Sequence, residues 1–512
     1  MEKDLGDKYE LRSKIMVERW AGVKQPARQP VLSDGGKPIQ PQFVNRRIST
    51  LGHHLGHYAE PSKSIPVFAE CEVLVVGGGP AGLAAAVSAA RAGAQVMLLE
   101  RFGCFGGVIT TVGMETLAWY RYPGTTDVTG IGIEMERLAQ QMSGGQGTKF
   151  PFNDSACLDA DVFKLVADHL VRENAIRPLL HAMVVDVIME SRSTIAGVVV
   201  ECKSGRLAIR AQRVVDCTGD ADVAFLAGAT CKKYAKSDMM GVTSVFSVAG
   251  VDKSKFLSYV EAHPATYKDW SRTWKQTTDG GKEDHLLSPY LDEEFERAQE
   301  LGVISNLPDE VSIGGSWSSL TNAGEATNLN LVHQRNIDGT NVEDLTKAEM
   351  EGRRQVLQAI AGLQSQVPGF KAAKLRNFSM TLGVRDTRKI VGRYELTDHD
   401  CRSQARFADS IGIFPEFIDG YNILILPTTG RYFQVPLGIC QSNEVENLLV
   451  AGRCTSGDRT AHAAMRNMMA CCVTGAGAGV AAAVSVQTGT PTSQVDVAKV
   501  QRELVRQGTR IA

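Results

Sequence analysis

Residues 72 to 100 read EVLVVGGGPAGLAAAVSAARAGAQVMLLE. Glu72 to Val76 is a short β-branched run, the pattern of a strand buried on both faces. Gly77, Gly79 and Gly82 follow at G-x-G-x-x-G spacing. The Ala-rich segment from Ala81 to Ala92 suits a helix packed tightly on a sheet. Gly93 stops that helix, and Gln95 to Leu99 reads as a second strand ending at Glu100. Each glycine has its own task. Gly77 permits the tight turn, Gly79 lets backbone approach a pyrophosphate, and Gly82 lets helix and strand pack closely. The helix N-terminus offers free N–H groups and positive dipole to the phosphates. Glu100 stands about 20 residues beyond the first glycine, where an acid can accept from an adenosine ribose. A lone glycine pattern is weak, but strand, helix, second strand and terminal acid together point to a dinucleotide site.

Outward from that stretch, Gly103, Gly106 and Gly107 make a loop whose backbone can run along a flat ligand. Trp119, Tyr120, Arg121 and Tyr122 are candidates for a substrate pocket, with core packing as the competing explanation. Asp159 to Arg172 reads as an amphipathic helix. Ala182 to Glu190, Thr194 to Cys202 and Arg206 to Arg210 read as strands of a β-meander inserted in the dinucleotide domain. Arg213 to Cys217 reads as a returning strand, and Thr218-Gly219-Asp220 as a tight turn.

In the second region, Val242 to Ala249 and Asn328 to Arg335 have strand character. Asp252 to about Leu301 is mostly helical in pattern. Thr346-x-x-Glu349 is a capping box for a helix running to about Gln366. Asn447 to Ala451 is a strand, and from about Thr460 a long small-residue helix follows. Its N-terminal N–H groups would face a bound ring.

The expected boundaries are an N-terminal arm (1–66), a dinucleotide domain in two pieces (67–229 and 446–490), a mixed α+β substrate domain (230–445) and a C-terminal helix or tail (491–512). The arm is read as partly helical at Tyr9 to Trp20. Its His53, His54 and His57 lack partner ligands and read as solvated or interface histidines rather than a metal site.

Bulk numbers bound the class. The chain has 512 residues, 43% hydrophobic and 22% charged, enough for a sizeable core in an ordinary soluble composition. A net charge of -2 gives no global pull toward nucleic acid or anionic membrane. No membrane span is expected, because the apolar stretch from Cys471 to Val484 reads as a buried helix. Eleven irregularly spaced cysteines fit reduced thiols, hence a cytoplasmic protein. The arm and the apolar content suggest a homo-oligomer.

VVGGGPAG, GCFGGVIT, DCTGDADVA, LGVRDTRKIVGRYELT and NLLVAGRCTSGDRTAHAAMRN together resemble the FAD-dependent oxidoreductase family of the glutathione-reductase-type Rossmann class. That group is distantly similar to the flavoprotein subunits of fumarate reductase and succinate dehydrogenase. The resemblance implies an α/β fold: a Rossmann-type FAD-binding domain with an inserted β-meander, and a substrate domain closing over the flavin. It implies that Gly77, Gly79, Pro80, Ala81 and Gly82 hold the pyrophosphate, and that Glu100 and Arg101 lie at the adenosine. Gly106, Gly107, Val108 and Ile109 would pass the ring. Val184, Thr218, Gly219 and Asp220 would lie near the adenine. Gly452, Arg453, Arg466, Asn467 and Met468 would close over the ribityl chain and pyrimidine edge.

Departures narrow the chemistry. No C-x-x-x-x-C pair surrounds Cys104, which argues against a disulfide reductase. No second G-x-G-x-x-G is visible, which argues against a dedicated NAD(P)H domain. Cys104 is a candidate for a thioether to the flavin, with a plain loop thiol as the alternative. Flavin redox on a small molecule needs a base near the reacting atoms, for which His462, His333 and Tyr432 are candidates. Arg385 and Arg431 are candidates to clamp an anionic or aromatic substrate. Three readings compete: a dehydrogenase, oxidase or reductase that transfers a hydride to or from flavin N5; a flavin monooxygenase; and a non-catalytic flavin-binding interaction protein.

Overall fold

The computed structural model describes residues 40–44, 59–118, 120–121, 124–143, 157–263, 275–276, 291–317, 319–427 and 429–512. The expectations for Tyr9 to Trp20, for His53, His54 and His57, and for Trp119 and Tyr122 lie outside the described residues.

Val67–Val76 is the spine of a seven-stranded sheet. Its alternate side chains serve two cores. Val73 and Val75 pack with Ala84 and Ala85 of helix Pro80–Arg91 on one face. Leu74 and Val76 pack with Met97, Leu99, Val198 and Val214 on the other. Burial on both faces is what the continuous β-branched run demands. Five parallel strands end level with one another. Val76 pairs with Leu99 and with Asp216, Asp216 pairs with Val450, and Leu99 pairs with Leu179. Ligands of open α/β sheets bind beyond such carboxyl ends.

The returning chain differs from the two short strands expected. Gly205–Asp216 is one strand of 12 residues. Its first half closes an antiparallel hairpin with Ile195–Cys202, which in turn pairs with Met183–Met189. Its last residues run parallel to Val67–Val76 and Leu448–Val450. The meander is therefore an extension of the central sheet. Arg213, expected as the first residue of the second short strand, reaches sideways to Ser485 Oγ (2.6 Å) and the Thr490 carbonyl (3.0 Å). There it satisfies the carbonyl end of the last long helix.

That helix also departs from expectation. The segment from about Thr460 is two helices, Arg459–Met465 and Met468–Thr488. The Asn467 amide donates to the Ala463 and Ala464 carbonyls and ends the first one. Met468–Thr488 is long and apolar enough to cross a membrane by length and composition, yet Met469 through Ser485 are buried in the protein. Two glycines let it lie against Pro80–Arg91. A Cβ on Gly475 would sit 2.2 Å from the Ala81 carbonyl oxygen, and one on Gly479 2.2 Å from that of Ala85.

The second region has its own antiparallel sheet, ordered Val311–Ser316, Glu325–Gln334, Val242–Ala249, Lys374–Phe378. Helix Val342–Gln366 covers it, with Val356, Ile360 and Leu363 packed on Phe246, Leu329 and Leu331. This helix starts a turn before the expected capping box. Asn341 Oδ1 accepts from the Glu343 and Asp344 N–H groups, while Thr346 donates back to the Val342 carbonyl. The cores also do not respect a boundary at 445. Leu396, Phe414, Phe417 and Phe433 join the core of the dinucleotide domain. The C-terminal helix Val497–Arg506 docks there through Val500 and Leu504.

Candidate active site

The residues that follow three of those level strand ends, Gly77, Glu100 and Cys217, line one cavity of about 390 Å³, as does Ala451 after Val450. Its first wall is the glycine turn. Gly77 has φ +99°, and a Cβ there would lie 2.5 Å from the Cys217 carbonyl oxygen. Gly82 does not touch the cavity: its Cβ would sit 1.7 Å from the Gly77 carbonyl oxygen, so it serves the turn from behind. Gly79 is the N-cap of Pro80–Arg91 without a side-chain cap, and Pro80 fills the first helical position. The helix thus presents bare N–H groups and positive dipole to the cavity.

The Gly103 to Gly107 loop stacks on that turn. Gly106 N–H donates to the Gly78 carbonyl at 2.8 Å, and a Cβ on Gly107 (φ +52°) would lie 2.6 Å from Gly79 Cα. Glu100 ties the loops together, accepting from Gly78 N–H (2.8 Å) and Phe102 N–H (2.9 Å). Arg101, Gly107, Val108, Val184, Thr218, Gly219 and Asp220 also line the cavity. Gly106 and Ile109, expected beside the ring, do not. Gly106 faces Thr110, and Ile109 is buried in the core. Cys104 stands off the cavity as well, with its Sγ 3.7 Å from Thr110 Oγ1. That is the position of a loop thiol, not of a thioether partner.

Gly452, Arg453, Arg466, Asn467 and Met468 close the far side. Arg453 Nη2 donates to Asp220 Oδ1 at 3.0 Å, and Arg466 Nη2 to Asp419 Oδ2 at 2.9 Å. Arg453 Nη1 and Arg466 Nε are buried with no protein partner. Buried donors without acceptors are costly, so their place on the wall marks where an acceptor-rich ligand belongs. The N-terminus of Met468–Thr488, not of the preceding helix, points here. A bare glycine turn, two helix N-termini and two unpartnered guanidinium nitrogens fit a dinucleotide with a flat ring.

The cavity continues to the second sheet, where Thr243, Trp317, Asn328, Asn330, Leu382 and Arg385 line it. Asn328 is held at φ +50° inside the bulge between Ala326 and Leu329, the device by which a strand re-aims a side chain. Sequence reasoning missed these residues apart from Arg385. The available signal was Asn328 and Asn330, two amides at alternate positions flanking Leu329 in the strand.

Of the five catalytic candidates, only Arg385 lines the cavity. His333 bonds the Gly314 carbonyl through Nε2 (3.1 Å), and burial, with the Arg385 charge nearby, brings its pKa down to about 3. His462 is buried with Nε2 3.0 Å from the Arg385 carbonyl oxygen. Arg431 pairs with buried Glu416 and with the Arg402 carbonyl. Tyr432 lies under the Arg406 guanidinium, 4.0 Å from its ring centroid. Each is engaged in fold contacts that a single sequence does not display. The same holds for the aromatic–basic stretch: Tyr120 is fully buried and stacks on Phe417, and Arg121 pairs with Asp127 and Glu136. Among the described residues no group of three metal-ligating side chains occurs.

A family model described as FAD dependent oxidoreductase matches residues 72–504. An NADH oxidase of Thermoanaerobacter brockii is 32% identical over 105 residues, 20% of this chain and 16% of that relative's length. Among solved structures, p-nitrophenol 4-monooxygenase PnpA from Pseudomonas putida DLL-E4 is 12% identical, with 85% of this chain and 84% of that one covered at TM-score 0.42. A flavocytochrome c3 fumarate reductase in its open conformation is 16% identical, with 82% and 79% covered at TM-score 0.35.

Proposed function

Since the chain belongs to the FAD dependent oxidoreductase family, and is therefore an FAD enzyme, we propose that it exchanges a hydride with a small anionic or aromatic organic substrate, as a dehydrogenase, oxidase or reductase. One observation carries the reading: the cavity runs unbroken from the dinucleotide turn to the face of the second sheet, so cofactor and substrate share one chamber. Bound FAD supplies the redox chemistry. The chain supplies binding and orientation. Gly77, Gly79 and the N-terminus of Pro80–Arg91 receive the diphosphate, and Arg453 Nη1 and Arg466 Nε find acceptors on the cofactor. At the substrate end, Trp317 and Leu382 give apolar walls, and Arg385 brings a cation that Asn330 and the Gly241 carbonyl steady. Neither His333 nor His462 is proposed as the base, because both are turned into the fold.

The reading is tested by adding small anionic and aromatic substrates to the FAD-loaded protein without oxygen and following the flavin band. Bleaching by a member of that class supports it. Bleaching only by neutral aliphatic compounds, with anions inert, sinks the substrate assignment.

A further inference from the structure

We propose that His462, backed by the buried pair of Asp386 and Lys389, is the positioning residue that holds Arg385 at the substrate end of the cavity. The inference rests on the substrate reading above. Residues 385 to 389 (RDTRK) form a strap between the two ends of the chamber. Arg385 faces the cavity, donating through Nη1 to the Gly241 carbonyl (2.9 Å) and through Nη2 to Asn330 Oδ1 (3.3 Å). Thr387 Oγ1 donates to Asp220 Oδ1 (2.8 Å) and Arg388 Nε to the Asp220 carbonyl (2.9 Å), which fastens the strap to the nucleotide end.

Asp386 and Lys389 are 1% and 0% exposed. Lys389 Nζ donates to Asp386 Oδ1 and to the Thr387 carbonyl (3.1 Å), and Tyr421 donates to Asp386 Oδ2 (2.6 Å). His462 Nε2 lies 3.0 Å from the Arg385 carbonyl oxygen and 3.8 Å from Asp386 Oδ1. Both are acceptors, so Nε2 carries the proton. Burial, with the Lys389 charge, keeps the imidazole neutral. Burial alone would raise the Asp386 carboxyl, but the Lys389 charge and the hydrogen bonds from Lys389 and Tyr421 outweigh it and hold it below the usual carboxylate range.

The arrangement exceeds what stability requires. A buried ion pair gives little net stability over apolar packing. Here its donors converge on the carbonyls of Arg385 and Thr387, on either side of the carboxylate residue. Two backbone anchors therefore fix the origin of the Arg385 side chain. A displacement of about 1 Å at such a group is costly to a bound ligand.

The test uses FAD-loaded protein and benzoate, with neutral benzamide as control, read by the shift of the flavin visible band. FAD content and melting temperature are measured beside each titration. Wild type should bind benzoate and ignore benzamide, and Arg385→Met should lose benzoate. His462→Leu should keep its FAD and bind benzoate about tenfold or more weakly. His462→Gln, whose amide N–H can reach the same carbonyl, should recover most of the affinity. If His462→Leu does not retain FAD, His462→Asn, too short to reach the carbonyl, takes its place against His462→Gln. A His462→Leu variant that binds benzoate like wild type while Arg385→Met does not would overturn the positioning role and leave the substrate reading standing. So would a Gln variant no better than Leu. Wild type that ignores benzoate, or answers benzamide equally, overturns both.

Discussion

Replacing Gly79 with alanine separates folding from cofactor binding. Gly79 has φ −73° and ψ −172°, a conformation alanine adopts without strain. Its new Cβ would meet only Gly107 Cα, at an ordinary 3.7 Å. As a helix N-cap the change costs at most about 1 kcal/mol. The methyl group, however, borders the chamber where the diphosphate must approach the bare helix N-terminus. Crowding of one methyl against a close-fitting ligand costs about 1–3 kcal/mol, or about five- to a hundredfold in the FAD dissociation constant. Gly82→Ala provides the contrast. Its Cβ would fall 1.7 Å from the Gly77 carbonyl oxygen, so the turn itself must move and both stability and FAD are lost. The assay is a melting curve of each apoprotein followed by a flavin fluorescence titration. Gly79→Ala should melt near wild type and bind FAD weakly. Tight FAD binding by Gly79→Ala would refute the placement of the diphosphate.

Three further outcomes follow from the geometry. Glu115 is a buried carboxyl bonded to Thr327 and to Ala160 N–H, and burial raises its pKa to about 7. The native state therefore holds a proton that the unfolded chain has released, and this contribution to stability falls as pH rises from about 4.5 through about 7. Glu115→Gln should escape the loss, gaining about 3 kcal/mol on wild type across that span; parallel urea-unfolding midpoints from about pH 5 to pH 8 would refute it. Gly479→Ala should destabilise by about 1–3 kcal/mol, because the Cβ meets the Ala85 carbonyl oxygen at 2.2 Å; an unchanged melting temperature would contradict that packing. Arg453→Met should weaken FAD binding severalfold or more and leave Asp220 without one of its donors; unaltered FAD affinity would show that the orphaned Nη1 faces no ligand.

The parts of the fold legible in sequence are those that local sterics dictate. Gly77 and Gly82 sit where any side chain would strike backbone, so the turn is written in residue type. Val73 to Val76, buried on both faces, could be little else than a central strand. What sequence withheld was decided by distant contacts. Arg206 to Arg210 and Arg213 to Cys217 read as separate strands, because the neighbours that both pieces pair with, Ile195–Cys202 and Val67–Val76, are not visible locally. Asn467 splits what reads as one long small-residue helix, through bonds to the Ala463 and Ala464 carbonyls. His333 and His462 have the chemistry of bases, and only the fold shows one bonded to Gly314 and the other to Arg385. Tyr120 and Arg121 read as pocket residues but are claimed by Phe417, Asp127 and Glu136. The substrate wall was hardest to see, because Thr243, Trp317 and Asn330 come together only through pairing of the second sheet and its bulges.

FAD is expected to fill the chamber between the two sheets, held by backbone and ion contacts. This occupancy is tested most directly by the visible spectrum of the purified protein, taken before and after acid precipitation. Flavin bands at one FAD per chain and yellow supernatant after precipitation are expected, since Cys104 stands off the cavity. A yellow pellet would contradict that geometry, and a colourless protein that takes up no added FAD would contradict the occupancy itself.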